Sequence, residues 1–265
     1  RQLGAEVIES HGYIYCKSST LKGSQIQLDY PSVGATENIM LAASLADGIT
    51  MIRNAAKEPE ICDLQNFLNK MGGKIKGAGT NTIVIEGVNK LRNVEYEIMP
   101  DRIAAGTLAI AAAITGGKIT IKKTYIEHIS SVVSKLFEAG SRIIHFDDKI
   151  VIDTPKKLNA VETIRTLPYP GFPTDMQAQF MSLLTIANGT SIINETIFEN
   201  RFKHVDELVR MGANIKTFGR IAVIKGVNGL TGARVSSKDL RGGAALILAG
   251  LVAEGETIVD NIYHV

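Results

Sequence analysis

Cysteine, net charge and long apolar runs are all scarce in this sequence of 265 residues, and each scarcity excludes a class of protein. The two cysteines, Cys16 and Cys62, match neither a metal-binding spacing nor a disulfide framework. A net charge of +2 gives no indication of a basic surface for nucleic acid. The longest apolar runs, such as residues 244–253, are too short and too rich in glycine to span a bilayer. We therefore expect no nucleic-acid partner and no membrane partner.

The composition that is present is typical of a globular protein. Hydrophobic residues make up 45% and charged residues 21% of a chain long enough for two ordinary domains. Two thiols suit a reducing compartment, and no signal peptide precedes Arg1, so we expect a cytoplasmic protein. Because the chain does not begin with Met, we expect a processed chain or a fragment.

Two glycine patterns recur along the chain at intervals of about seventy residues. Glycines that lead into short apolar strands are 69, 72 and 66 residues apart; they are Gly48, Gly117, Gly189 and Gly255. Glycines in patterns such as Met-Gly-Gly-Lys-Ile are 68, 68 and 72 residues apart; they are Gly4, Gly72, Gly140 and Gly212. Repetition at this period predicts a stack of similar structural units.

One repeat, residues 32–88, predicts the content of the unit. Its order is an apolar helix, a strand, an amphipathic helix and two strands, predicted at 32–46, 49–53, 58–71, 74–77 and 82–86. The first helix is apolar on nearly every side and is therefore predicted to be buried all round. Later copies repeat this order, and the amphipathic helix of the third copy is predicted over residues 199–211.

Stacked units of this kind bury their apolar helices inside a shell of strands and outer helices. The predicted fold class is therefore α/β, an inside-out barrel built from repeated βαβαββ-like units in two domains. An extended segment at 94–100 predicts a boundary near Met99. Residues 1–99 then hold one complete repeat and the tail of another, whereas residues 100–265 hold two complete repeats and the start of a third. We expect the core of the first domain to be exposed, covered by another chain, or completed by residues outside this sequence.

A short polar residue begins each predicted buried helix: Ser32, Asp101, Asp175 and Asp239. Helix capping accounts for each of them singly. Helix N-termini that converge in a repeated architecture also attract anions. These patterns alone predict an anion-binding protein of two domains, without a named reaction.

Three longer motifs carry a more specific resemblance. They are FPTDMQAQF at 172–180, ENRFKHVDELVRMGA at 199–213 and SVGAT at 32–36. Together they resemble the UDP-N-acetylglucosamine enolpyruvyl transferases, and the resemblance runs along essentially the whole chain. The enolpyruvylshikimate-phosphate synthases share the repeated fold but do not typically carry these three segments together.

The resemblance implies an enzyme of peptidoglycan synthesis with two small-molecule substrates. The sugar nucleotide UDP-N-acetylglucosamine binds first and phosphoenolpyruvate follows. The sugar 3′-hydroxyl then attacks the central carbon of phosphoenolpyruvate, the methylene carbon takes a proton, and the tetrahedral adduct loses phosphate. The resemblance implies no metal and no organic cofactor.

The resemblance also implies roles for individual residues. Asp175 is the candidate base for the 3′-hydroxyl, and its place at a helix start is expected to lower its pKa. The binding site for the nucleotide diphosphate is formed by Ser32, Val33 and Gly34, with Tyr30 and Pro31 at its flank. The wall of the sugar-nucleotide site is formed by Ile197, Phe198, Asn200 and Arg201. The phosphoenolpyruvate side is formed by Asp239 and Arg241.

The 265 residues depart from the family in the proton donor. That donor is a Cys or Asp on a mobile glycine-rich loop, and neither Cys16 nor Cys62 has such a context. We interpret both cysteines as packing residues. We expect this chain alone not to catalyse the reaction, whereas the full-length protein would be the active enzyme.

Three alternatives remain open at this point. The first is enolpyruvyl transfer to shikimate 3-phosphate, which the segment at 173–177 disfavours. The second is a non-catalytic repeat protein that scaffolds or binds RNA, which the near-neutral charge and the absence of aromatic and basic clusters disfavour. The third is a non-catalytic paralogue or a fragment.

Overall fold

The structure is a computed structural model that describes residues 1–264. The chain divides into two compact units, residues 1–99 and 100–265. In the described residues, no helix is long and apolar enough to cross a membrane.

The first unit contains six strands and two helices. Its strands are β1 (Glu6–Ser10), β2 (Tyr13–Lys17), β3 (Gln25–Gln27), β4 (Ile49–Arg53), β5 (Lys74–Lys76) and β6 (Thr82–Glu86). Its helices are α1 (Val33–Ala43) and α2 (Pro59–Lys70). The Ser32 hydroxyl caps α1 by accepting the Ala35 N–H at 3.3 Å, and Pro59 occupies the first turn of α2, where no N–H partner is needed.

The second unit is larger and, within the described residues, contains five α-helices. They are α3 (Arg102–Ile114), α4 (Ser130–Glu138), α5 (Gln177–Leu184), α6 (Val205–Arg210) and α7 (Leu240–Gly250), with short 3₁₀ helices at Ile126–Ile129, Thr174–Met176 and Ile262–His264. The longer strands are β7 (Lys118–Lys122), β8 (Arg142–Phe146), β9 (Lys149–Asp153), β10 (Thr163–Arg165), β11 (Thr190–Asn194), β12 (Asn214–Phe218) and β13 (Ile221–Lys225). Short strands follow at β14 (Leu230–Thr231), β15 (Arg234–Ser236), β16 (Ala253–Glu254) and β17 (Ile258–Asp260).

The same sheet topology occurs in both units. Strand order is β3-β4-β6-β5 in the first unit and β10-β11-β13-β12 in the second. In each sheet the first pair of strands is parallel and the other pairs are antiparallel. The helix between each parallel pair is the apolar one, α1 or α5. The βαβαββ-like unit predicted from the sequence is therefore present in both halves of the chain.

The core of the second unit is built on helices rather than on strands. All eight residues of α5 are buried, and α5 packs against both α3 and α7. The Asp101 carboxylate caps α3 by accepting the N–H groups of Ile103 and Ala104, at 2.8 and 3.0 Å. Central helices surrounded by strands and amphipathic helices are the arrangement expected of an inside-out barrel.

Helix α1 of the first unit differs from the prediction that it is buried all round. Of its eleven residues only Thr36, Met40 and Ala43 are buried, and Leu41 is 51% exposed. It packs on one side against α2, β4 and β6. In the second unit, the apolar helices α3, α5 and α7 pack against one another. Among the described residues of the first unit, no other apolar helix packs against α1 in this way.

Two further predictions were wrong. Cys16 is exposed on β2 and is not a packing residue, because every residue of that strand faces solvent. The third amphipathic helix covers only α6, six residues of the predicted thirteen at 199–211. Residues 197–204 instead follow an irregular path, since the Glu195 carboxylate accepts the backbone N–H groups of Ile197 and Phe198 and holds them in a turn.

A close backbone contact recurs at the end of each four-stranded sheet. A Cβ atom placed on Gly87 would lie 1.6 Å from the carbonyl oxygen of Ala46, and one on Gly226 would lie 1.6 Å from that of Ala187. The neighbouring N–H groups make equivalent hydrogen bonds in the two copies, for example Val227 to the Thr185 oxygen at 2.7 Å. Only glycine allows this approach, which joins the last strand to the end of the apolar helix.

We expect Gly226→Ala to lower the free energy of unfolding by about 2 kcal/mol, because the methyl group must displace backbone. Gly229→Ala is the matched control, since nothing lies within 4 Å of its added Cβ. Urea denaturation of both variants measures the difference. Equal stability of the two variants would contradict the packing described for Gly226.

Candidate active site

An open cavity of about 820 Å³ lies in the second unit, where α7 begins and the segment after β11 turns. It is lined by Asp175, Ile197, Phe198, Glu199, Asn200, Arg201, Arg220, Asp239, Leu240 and Arg241. These residues come from the 3₁₀ helix before α5, the segment before α6, the β12–β13 turn and the first turn of α7. The cavity therefore combines carboxylates with three guanidinium groups.

Asp175 is the carboxylate with the most direct contacts to these guanidinium groups. Its Oδ1 accepts a hydrogen bond from Arg201 Nη2 at 2.5 Å, and its Oδ2 accepts one from Arg241 Nη2 at 3.2 Å. Asp175 is partly exposed, with 39% of its side chain accessible, whereas Arg201 and Arg241 are 18% and 25% accessible. The carboxylate is therefore held between two cations at the cavity surface.

The pKa of Asp175 lies below its ordinary value. Burial alone would raise it, but the charges of Arg241 and Arg201 and their hydrogen bonds outweigh burial and lower it. The prediction of a lowered pKa has the right direction and the wrong cause. Asp175 does not cap α5; it lies within the 3₁₀ helix Thr174–Met176, and α5 has no side-chain cap.

Phe198 and Arg201 form one wall of the cavity. The guanidinium carbon of Arg201 lies 4.6 Å from the centroid of the Phe198 ring, within the range of a cation–π contact. Phe198 is 50% exposed and is therefore not a core residue. Arg201 also donates from Nη1 to the Thr174 hydroxyl at 2.8 Å, which ties the wall to the turn that carries Asp175.

The N-terminus of α7 contributes Asp239, Leu240 and Arg241 to the lining of the cavity. Asp239 caps this helix, because its carboxylate accepts the Gly242 N–H at 2.7 Å. Arg241, two residues later, reaches Asp175. The capping contact therefore fixes the helix start from which Arg241 extends.

His204 lies buried against the same helix start. A Cβ on Gly242 would be 3.1 Å from the His204 Cβ, and in the described structure the His204 Nε2 has no hydrogen-bond partner. Burial lowers the pKa of His204 to about 4, with a further lowering from Arg201 and an opposing effect of Asp239. The imidazole is therefore neutral at physiological pH.

The remaining predicted residues, Tyr30, Pro31, Ser32, Val33 and Gly34, lie in the first unit. They form the entry to α1, where the Ser32 N–H donates to the Tyr30 oxygen at 2.7 Å. Tyr30 is 45% exposed. The N-terminus of a helix suits an anion, although the Ser32 hydroxyl is used as a cap.

Three cavity residues were not predicted: Glu199, Arg220 and Leu240. Arg220 pairs with Glu199 at 3.3 Å from the turn between β12 and β13. A cation in the turn of a hairpin is typical of any exposed turn, so the sequence carries no specific signal for Arg220. Within residues 1–264, no three His, Cys, Asp or Glu side chains are grouped as ligands of a metal ion.

We expect Arg241→Ala to raise the pKa of Asp175 towards its ordinary value, because one of the two cations that lower it is removed. The titration of the Asp175 carboxyl carbon by NMR measures this shift. Arg220→Ala is the control. It also removes a cation from the cavity, but the cation that it removes pairs with Glu199. An Asp175 titration that is the same in wild type and Arg241→Ala would contradict the conclusion that Arg241 lowers the pKa of Asp175.

Comparison with known proteins shows the family of the chain. The sequence model of the EPSP synthase (3-phosphoshikimate 1-carboxyvinyltransferase) family matches residues 1–265. The chain belongs to the EPSP synthase family. Among curated members of this family, it is 62% identical over 265 residues to UDP-N-acetylglucosamine 1-carboxyvinyltransferase 2 of Caldanaerobacter subterraneus subsp. tengcongensis. It is 57% identical over 265 residues to UDP-N-acetylglucosamine 1-carboxyvinyltransferase of Halothermothrix orenii.

Solved structures of EPSP synthase-like enzymes confirm the predicted fold class. The enolpyruvyl transferase NikO from Streptomyces tendae superposes with a TM-score of 0.88 at 23% identity, over 100% of this chain and 66% of that one. EPSP synthase from Acinetobacter baumannii superposes with a TM-score of 0.71 at 19% identity, over 98% and 64%. At these identities the likeness concerns the fold alone.

The chain does not correspond to the whole of its relatives. It spans 64% of the length of the Caldanaerobacter protein and 63% of that of the Halothermothrix protein, while all of the chain is aligned in both cases. The cavity described above therefore lies in a chain of the EPSP synthase family that matches less than two thirds of the length of these relatives.

Proposed function

We propose that the complete polypeptide carrying this chain transfers the enolpyruvyl group of phosphoenolpyruvate to the 3′-hydroxyl of UDP-N-acetylglucosamine, with release of inorganic phosphate. The observation that carries the proposal is the Asp175 carboxylate, held between Arg201 and Arg241 at the surface of a cavity. Eight curated relatives at 53–62% identity, each named UDP-N-acetylglucosamine 1-carboxyvinyltransferase, support the choice of substrate.

Asp175 is the proposed base. Its lowered pKa keeps it ionised at neutral pH, so it can accept a proton from a hydroxyl group placed within hydrogen-bond reach. A carboxylate paired with two guanidinium groups is a weak base. If the anionic groups of phosphoenolpyruvate draw Arg241 away, Asp175 loses one of these cations and becomes more basic as the second substrate arrives.

The reaction then balances as follows. Asp175 takes the proton of the 3′-hydroxyl, the hydroxyl oxygen bonds to the central carbon of phosphoenolpyruvate, and the methylene carbon gains a proton. The tetrahedral adduct loses phosphate together with a proton from the new methyl group, which restores the double bond. We expect turnover from the complete polypeptide, because the family resemblance places the proton donor on a glycine-rich loop, a context that neither Cys16 nor Cys62 has.

The other residues are proposed to bind and orient the substrates. Arg201, Phe198 and Ile197 contact the sugar nucleotide, Asp239 and Arg241 form the phosphoenolpyruvate side, and residues 30–34 bind the diphosphate. Arginine suits phosphate because its guanidinium group donates two parallel hydrogen bonds. No metal, organic cofactor, nucleic acid or membrane enters this scheme, and we place the protein in the cytoplasm as an enzyme of peptidoglycan synthesis.

The test is phosphate release by the complete polypeptide with each of two acceptors. We expect release from phosphoenolpyruvate in the presence of UDP-N-acetylglucosamine and none with shikimate 3-phosphate. Release with shikimate 3-phosphate alone would overturn the choice of acceptor, and release with neither would overturn the proposed transferase activity.

A further inference from the structure

We propose that Glu195 is a positioning residue that fixes both the wall of the cavity and the orientation of the Asp175–Arg201 pair. The expected effect on substrate binding rests on the proposed function. The positioning role itself rests on the contacts of the buried Glu195 carboxylate, which lies outside the lining of the cavity.

Glu195 follows directly after β11, where the sheet ends. The neighbouring parallel strand β10 ends at Arg165, opposite Asn194, so Thr166 and Glu195 leave the sheet side by side. The Glu195 N–H donates to the Arg220 oxygen at 2.8 Å, and the Thr166 N–H donates to the Asn194 oxygen at 3.0 Å. The backbone of Glu195 is therefore anchored on both sides before its side chain makes any contact.

Four hydrogen bonds satisfy the Glu195 carboxylate, although only 1% of the residue is exposed. Its Oε1 accepts the Thr166 hydroxyl at 2.9 Å and the N–H groups of Ile197 and Phe198 at 2.8 and 3.1 Å. Its Oε2 accepts the Thr174 hydroxyl at 2.8 Å. A carboxylate removed from water at this depth is costly unless such donors surround it. Neutral donors arranged in this way indicate a site organised around the charge.

The two oxygens of Glu195 serve different parts of the cavity. Through Oε1 the carboxylate holds the turn at Ile197 and Phe198, which begins the cavity wall. Through Oε2 the carboxylate accepts the proton of the Thr174 hydroxyl and so orients that hydroxyl. The Thr174 hydroxyl oxygen then accepts a hydrogen bond from Arg201 Nη1. Arg201 then presents Nη2 to Asp175. A chain of contacts thus leads from Glu195 through Thr174 and Arg201 to the proposed base.

Two substitutions separate these effects. Thr174→Val removes only the hydroxyl that links Glu195 to Arg201. Glu195→Ala removes the contacts of both carboxylate oxygens. Thr154→Val is the matched control, because the Thr154 hydroxyl donates to Ser141 in a buried pair far along the chain from the cavity residues. The readouts are thermal unfolding, amide hydrogen exchange, the NMR titration of Asp175 and calorimetric binding of UDP-N-acetylglucosamine, all on the 265-residue chain.

We expect the Asp175 pKa to rise in Glu195→Ala and Thr174→Val, since Arg201 is no longer held in place. Exchange at Ile197 and Phe198 should become at least about tenfold faster in Glu195→Ala only, and the affinity for the sugar nucleotide should fall about tenfold in both variants. Thr154→Val should change none of these quantities. A purely structural role would lower thermal stability without moving the Asp175 titration.

An Asp175 titration in folded Thr174→Val that matches wild type would overturn the proposal, as would unchanged exchange at Ile197 and Phe198 in folded Glu195→Ala. If Glu195→Ala does not fold, Thr174→Val decides by its Asp175 titration. If the wild-type chain does not bind UDP-N-acetylglucosamine, the failure belongs to the proposed function, while titration and exchange still decide the role of Glu195.

Discussion

We expect the replacement of Asp175 by Asn to lower the rate of the proposed enolpyruvyl transfer by the complete polypeptide by about 10²- to 10⁴-fold, the range that a positioned general base contributes. Asn has nearly the same shape as Asp, but its amide cannot take up the proton of the 3′-hydroxyl. It also turns an N–H₂ group towards one of the two guanidinium groups that now donate to Asp175. Steady-state rates at saturating concentrations of both substrates measure the effect.

Asp260→Asn is the control for this substitution. Asp260 also accepts from an arginine, with Arg234 Nε at 2.7 Å, but this pair is exposed and does not line the cavity. Its variant should retain the wild-type rate. An Asp175→Asn enzyme that works at more than about a tenth of the wild-type rate would exclude Asp175 as the base.

The stability of the chain should fall by about 3 kcal/mol between pH 6.5 and pH 4 on account of His204 alone. Burial lowers the pKa of this imidazole from 6.5 to about 4, so over this range the unfolded chain binds a proton that the folded chain does not. Stability contributed by neutral His204 is present above pH 6.5 and is lost as the pH falls towards 4. Urea denaturation at half-unit steps of pH measures the free energy of unfolding.

The contribution of His204 is isolated by comparison with His204→Gln, which does not titrate. The titration of carboxylates common to both proteins cancels in the difference between their free energies of unfolding. This difference should shrink by about 1.4 kcal/mol per pH unit as the pH is lowered. His145→Gln, at an exposed position on β8, should follow the wild-type curve. Parallel curves for wild type and His204→Gln would mean that His204 is protonated to the same extent in the folded and unfolded chains.

The repeated strands could be predicted from sequence because their signals are local. Alternating apolar residues next to a glycine predict the bounds of β4 and β6 as the structure has them. The burial of each apolar helix could not be read in the same way. Helices α1 and α5 are both apolar, yet α5 is buried on every side and α1 on one. The difference lies in how many neighbouring helices pack against each, which is a tertiary property.

The family resemblance singled out Asp175, Arg201 and Arg241 but did not predict their contacts. The pairings join positions 26 and 66 residues apart. The error over residues 199–204 has a related cause. That segment has a helical pattern, but the Glu195 side chain competes for the N–H groups that would otherwise begin a helix. A side chain that acts on backbone two and three residues later leaves no trace in hydrophobic periodicity.

Calorimetric titration of the 265-residue chain with UDP-N-acetylglucosamine, with shikimate 3-phosphate as the control ligand, tests the central claim most directly. We predict saturable binding of the sugar nucleotide, weakened in Asp175→Ala, and no binding of shikimate 3-phosphate. Binding of shikimate 3-phosphate in place of the sugar nucleotide, or affinity for the sugar nucleotide that Asp175→Ala leaves unchanged, would contradict the account of the site.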